Sequence, residues 1–162
     1  MKQIRRSVFE TNSSSTHSIT ISGLKDIYDF PTTDLPVRFG EYGWEYEHYY
    51  DIEDKLSYVF TMMQYKIGAK YDWGNKRLLK SVIESDYSKW IQEMTMEHCG
   101  KKLIFSSKGC KEDESFPCGY IDHQSTDVLD DFWSNDEKEF KELMKEFIFN
   151  SKYGFMTDND NH

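Results

Sequence analysis

No stretch of 18 apolar residues occurs in this sequence, so no membrane-spanning helix is expected. The opening Met1-Lys2-Gln3-Ile4-Arg5-Arg6 lacks the apolar core of a signal peptide, which points to a cytoplasmic protein. Cysteine is sparse: Cys99, Cys110 and Cys118 are three, an odd number that argues against a disulfide framework. Positive charge is also short, with 20 Lys and Arg against 29 Asp and Glu and a net charge of −9. Neutralising phosphates takes clustered Lys and Arg, so nucleic acid is not an expected partner, whereas a positively charged protein is compatible. Gly-x-Gly-x-x-Gly, the P-loop and the Gly-x-Ser-x-Gly elbow are all missing. There is no internal repeat and no linker long enough to separate domains.

What is present suits one domain. A length of 162 residues allows a sizeable core, and 16% aromatic residues lift the chain out of the disordered class despite 30% charged residues. Residues 2–9 read as a short first strand. Ile19 and Ile21 alternate with Ser18, Thr20 and Ser22, the pattern of a half-buried strand. A further short strand is expected at Val37 to Phe39. Asp51 reads as an N-cap for a helix over 52–67, with Ile52, Leu56, Val59, Phe60, Met63 and Ile67 as its apolar stripe. Two more helices are expected between 75 and 98, the second capped by Ser85 or Asp86, carrying His98 on its apolar stripe and stopped by Gly100. Short strands follow around Leu103-Ile104-Phe105 and Gly119-Tyr120-Ile121. Ser134 and Glu137 fit a capping box opening a last helix over 135–149. Tyr153 to Met156 reads as an edge strand, and 157–162 as a polar tail. The expected fold is a single α+β domain over 1–162: a small, mainly antiparallel sheet packed with about four helices.

Chemistry concentrates in polar clusters beside short strands. Thr11 to Ser18 is a run of eight side chains bearing hydroxyl, amide or imidazole groups, preceded by Arg5, Arg6 and Glu10. A second cluster is Asp122-His123-Gln124-Ser125, and a third is residues 157–161. His17, Asp122 and His123 are the acid–base candidates. Arg5 and Arg6 offer positive charge, and Thr11, Asn12, Ser13, Ser14, Ser15, Ser18, Gln124 and Ser125 offer hydrogen bonds to a ligand. The competing reading is that such residues only cap turns, by bonding the backbone. No metal and no cofactor is expected. The Cys110–Cys118 spacing is not a structural-zinc knuckle, and Asp158 with Asp160 lacks the Gly and Glu of a calcium loop.

Arg5-Arg6-Ser7-Val8-Phe9-Glu10-Thr11-Asn12-Ser13-Ser14-Ser15-Thr16-His17-Ser18 resembles the start of a family of small proteins encoded by tailed bacteriophages and prophages, mostly of Gram-positive hosts. The likeness extends to Phe39-Gly40-Glu41-Tyr42-Gly43-Trp44-Glu45, to Tyr120 through Ser125, and to Asp158-Asn159-Asp160-Asn161. It implies a phage setting, hence the host cytoplasm, and no particular activity. It adds Glu41 and Trp44 to the ligand-binding candidates. Separately, an upstream Arg, Ser15 to Ser18 and Glu45-Tyr46-Glu47 are similar in order to the pieces of some ADP-ribosyltransferases, at a spacing far too short for that scaffold. Three functions stay open: a polar pocket for a small phosphate-bearing or nucleotide-like ligand, with or without hydrolase or transferase chemistry; an acidic inhibitor of a host defence protein; and a structural or packaging accessory. The partner is accordingly a small-molecule ligand or a host protein. Oligomeric state has no signature here.

Overall fold

The computed structural model describes residues 18–21, 33–43, 46–68, 75–106, 119–121 and 130–157. In chain order the elements are β1 (Ser18–Ile21), β2 (Leu35–Val37), β3 (Glu41–Tyr42), β4 (Glu47–Tyr49), α1 (Ile52–Gly68), α2 (Asn75–Ile83), α3 (Asp86–Cys99), β5 (Leu103–Phe105), β6 (Tyr120–Ile121), α4 (Glu137–Phe149) and β7 (Tyr153–Thr157). Four α-helices and short strands among the described residues make an α+β composition. The strand expected at 2–9 lies outside the described residues.

Helix α1 is the centre. Ile52, Leu56, Val59, Phe60 and Met63 are buried, as their spacing predicts. Lys55, Ser57, Tyr58, Thr61, Met62 and Gln64, on the remaining faces, are buried as well. A helix that only leans on a core shows one apolar stripe; one buried on every face is enclosed by its neighbours. Here β2, β6, α2 and α4 all contact α1.

The strands depart from one mainly antiparallel sheet. Strands β1 and β4 flank β7 in a three-stranded antiparallel sheet. The other pairs, β2 with β5 and β3 with β6, are parallel and separate. Parallel neighbours need a crossover, and α1, α2 and α3 supply it between β2 and β5. The expected edge strand at 153–156 is therefore the middle strand, β7, and it includes Thr157, which is buried rather than part of a tail. Apolar residues on β7 meet the core: Phe155 stacks on Tyr58 at 4.1 Å and on Tyr49 at 4.5 Å between ring centroids.

Helix ends follow local chemistry. Ser85 caps α3, its hydroxyl accepting from Ser88 N–H at 3.1 Å, and Gly100 closes it with its N–H on Met96 O. The cap of α4 is Asp136, which accepts from Glu139 N–H at 2.9 Å, so the expected Ser134–Glu137 box is displaced by two residues. Ser134 instead accepts from Asp136 N–H and donates to Glu139 Oε2 at 2.5 Å. Phe140, Met144, Phe147 and Ile148 are buried along α4. His98 does not lie inside the α3 stripe; it is exposed and rests its ring on Phe149, 4.4 Å between centroids.

Candidate functional site

Of the sequence-predicted site residues, two fall among the described ones. Ser18 opens β1 and pairs with Met156; Glu41 opens β3, pairs with Tyr120 and is exposed. Arg5, Arg6, Thr11, Asn12, Ser13, Ser14, Ser15, His17, Trp44, Asp122, His123, Gln124 and Ser125 lie outside the described residues. The geometry that bears on them is that of their anchors, the described residues next to them in sequence.

Those anchors are tied together. Ser18 pairs with Met156 on one side of β7, and Glu47 pairs with Thr157 on the other. Strands β1 and β4 therefore begin where β7 ends, because both run antiparallel to it. Ile121, which precedes Asp122 in sequence, pairs with Tyr42. The Tyr42 ring in turn meets Tyr49 at 5.6 Å, Tyr58 at 5.1 Å and Phe155 at 5.8 Å, each edge to face. Edge-to-face packing sets the positive ring edge against the negative ring face, which fixes orientation as well as distance.

A polar ladder on α1 holds the β3–β6 pair. Ser57, Thr61 and Tyr65 recur every four residues and so share one face of the helix. Ser57 Oγ accepts from Arg38 N–H at 3.0 Å, Thr61 Oγ1 from Gly40 N–H at 3.2 Å, and the Tyr65 hydroxyl from Ile121 N–H at 2.9 Å. Buried backbone donors need such partners, and each one made here sets the position of a strand. Tyr120 N–H also donates to Gly40 O at 2.7 Å. That close approach depends on Gly119, whose φ is +74° and where a Cβ would run into Gly40 O.

The electrostatics beside this ladder were not legible in the sequence. Burial raises the Tyr42 hydroxyl far above its ordinary value, and the nearby Asp54 and Glu47 carboxylates raise it further. Burial raises Tyr58 likewise, with Tyr42 adding to it. The Asp54 carboxyl is also raised, first by burial, then by Asp51, Glu53 and Glu47, with Arg38 opposing. Asp54 lies in the first turn of α1, where the helix dipole favours a carboxylate, and it is one of a carboxylate group beside Tyr42. A carboxyl shifted by desolvation and like charge is a functional-site candidate, and the density of Glu47, Asp51, Glu53 and Asp54 is the signal that could have found it.

Among the described residues no group of three or more His, Cys, Asp or Glu is placed to hold a metal ion. Cys99 donates its thiol to Thr95 O at 3.2 Å, and burial pushes that thiol above its ordinary value, with Lys101 opposing. Comparison with protein families, with curated proteins and with solved structures found no match for this chain.

Proposed function

We propose that this chain is an accessory protein of the phage type it resembles, with a polar pocket for a small phosphate-bearing or nucleotide-like ligand. Arg5 and Arg6 supply positive charge, and the Thr11–Ser18 run, with Gln124 and Ser125, supplies hydrogen bonds to phosphate and ribose oxygens. His17 and His123 exchange protons, with Asp122 in the same cluster, where hydrolase or transferase chemistry follows binding. Glu41 and Trp44 line the pocket beside them. One observation supports this reading: the anchors of the three segments are joined through Tyr42 and Phe155, with Ile121 paired to Tyr42 and Ser18 and Glu47 both next to the end of β7. Rigid elements that bring chain exits together are how loops far apart in sequence build one site.

The test is a thermal-shift screen against nucleotides, dinucleotides and sugar phosphates. A ligand that binds only the folded state raises the melting temperature by mass action. The expected result is a concentration-dependent rise with at least one of them, absent in His17→Ala. No rise across the panel, or a rise unaffected by both His17→Ala and His123→Ala, overturns the reading.

A further inference from the structure

Strands β2 and β5 form a parallel pair with one face on the core. Leu35, Val37 and Leu103 are buried there, and Phe105 meets Phe60 of α1 edge to face at 5.0 Å between centroids. Successive strand residues alternate between faces, so Pro36 and Ile104, which pair with each other, share the outer one. Ile104 is 53% exposed there.

The two edges of this pair are unlike. Leu35 N–H donates to Lys102 O at 2.9 Å and Ser106 N–H donates to Val37 O at 3.0 Å, which fixes the way each peptide points. In a parallel ladder of this register, Leu35 and Val37 turn their backbone groups toward β5, and Ile104 turns its own toward β2. Pro36 is left on the far edge of β2, where it has no N–H to offer, so that edge is closed to another strand. Leu103 and Phe105 are left on the far edge of β5, with N–H and C=O groups pointing away from β2. Among the described residues no strand pairs with them. Such an edge is a template for another strand.

The open edge complements itself. With two copies of β5 set antiparallel about a two-fold axis at Ile104, Leu103 of each copy faces Phe105 of the other. Both of these pairs are of the hydrogen-bonded kind and exchange N–H···O bonds in each direction. Ile104 meets its own copy at a position of the other kind, where Cα atoms come within about 4.5 Å and side chains are closest. Lys102 falls opposite Ser106 and not opposite another lysine, so the flanking charge does not oppose this register. The occupant favoured is therefore the chain itself, because donors, acceptors and apolar cover stand symmetrically about Ile104.

We propose that β5 pairs with β5 of a second copy, antiparallel about Ile104, joining two β2–β5 pairs into one continuous sheet and making the chain a dimer. This contact goes beyond the ligand pocket proposed above and does not depend on it.

The test begins with sedimentation of the full chain, which is expected to pass from monomer to dimer as its concentration rises through the micromolar range. Amide exchange at Leu103 and Phe105 should slow over the same range. Ile104→Lys sets like charges directly opposite each other and should weaken the dimer at least about tenfold, with the melting temperature of the monomer unaltered. Ile104→Cys should cross-link into a dimer under mild oxidation, since the Cα separation at that pair lies within disulfide reach. The wild-type chain and Lys102→Cys are the controls and should cross-link far less. If Ile104→Lys does not fold, the Ile104→Cys cross-link and the wild-type exchange decide the matter. A wild-type monomer throughout, a dimer unaltered by Ile104→Lys, exchange at Leu103 and Phe105 that ignores concentration, or Ile104→Cys that cross-links no better than the controls overturns the proposal.

Discussion

The ammonium group of Lys55, inside the core, donates to the backbone carbonyl of Asn150 at 3.0 Å, joining the second turn of α1 to the end of α4. The same nitrogen stands 5.9 Å from the centre of the Phe147 ring. Asn150 caps α4, so a positive charge meets the negative end of the helix dipole. Burial nevertheless lowers Lys55 from its ordinary 10.5 to about 8, with Asp51 drawing it partly back up.

The pH dependence of stability follows from that lowering. Between pH 8 and 10.5 the unfolded chain keeps the lysine proton that the folded chain has released. The unfolded state binds more protons in that window, so stability rises with pH. Above pH 10 the sign reverses, because folded Tyr42 and Tyr58 hold phenolic protons that the unfolded chain loses. Cys99 opposes the rise weakly above pH 9. Denaturant unfolding should show a gain on the order of 2 kcal/mol between pH 8 and pH 10, and Lys55→Met should flatten it. A gain that persists in Lys55→Met assigns the effect to another group.

Phe147 is the aromatic anchor of α4. It is 1% exposed and packs against Phe132 and Phe155 at 5.8 and 6.4 Å between centroids. Truncation leaves a cavity that the enclosed α1 cannot close by moving. Phe147→Ala should cost about 3–5 kcal/mol in urea unfolding. A cost under 1 kcal/mol would mean the core relaxes around the gap.

Gly119 tests the ladder that positions Ile121. Its left-handed backbone and the contact its Cβ would make with Gly40 O both oppose any side chain. Gly119→Ala should destabilise by roughly 1–3 kcal/mol. Hydrogen exchange should quicken at Tyr120 and Ile121, whose amides bond Gly40 O and the Tyr65 hydroxyl. Unaltered exchange at those two amides would place the strain elsewhere.

The helices were legible because their signals are local. Ser85, Gly100 and the stripe on α1 act within one turn of themselves. The α4 cap misled because two frames overlap, Ser134-x-x-Glu137 and Asp136-x-x-Glu139, and Ser134 supports the second by bonding both Asp136 N–H and Glu139. The strand pairings were not legible, since alternation tells a strand which face is buried and not which neighbour it meets. The role of β7 as the middle strand, and the meeting of Tyr42 with Asp54, are products of pairing over long sequence separation. The polar segments could be read as candidates from composition, whereas the anchors that join them could not.

The last prediction separates ligand binding from scaffold. His17 and His123 stand in sequence among Ser, Thr, Asn, Asp and Gln, the composition of a wet, polar setting in which removing an imidazole is expected to leave no apolar cavity. Each neighbours an anchored strand in sequence, His17 before Ser18 and His123 two residues after Ile121. His17→Ala and His123→Ala should each leave the melting temperature within a few degrees, about 1 kcal/mol for a domain of this size. Both should abolish the ligand-induced rise in melting temperature. A deletion that removes proton transfer or a ligand contact has this signature, because binding is lost while folding is kept. If both variants instead fail to fold, the histidines belong to a buried hydrogen-bond network that holds the strand ends together. The pocket assignment for His17, Asp122 and His123 is then withdrawn.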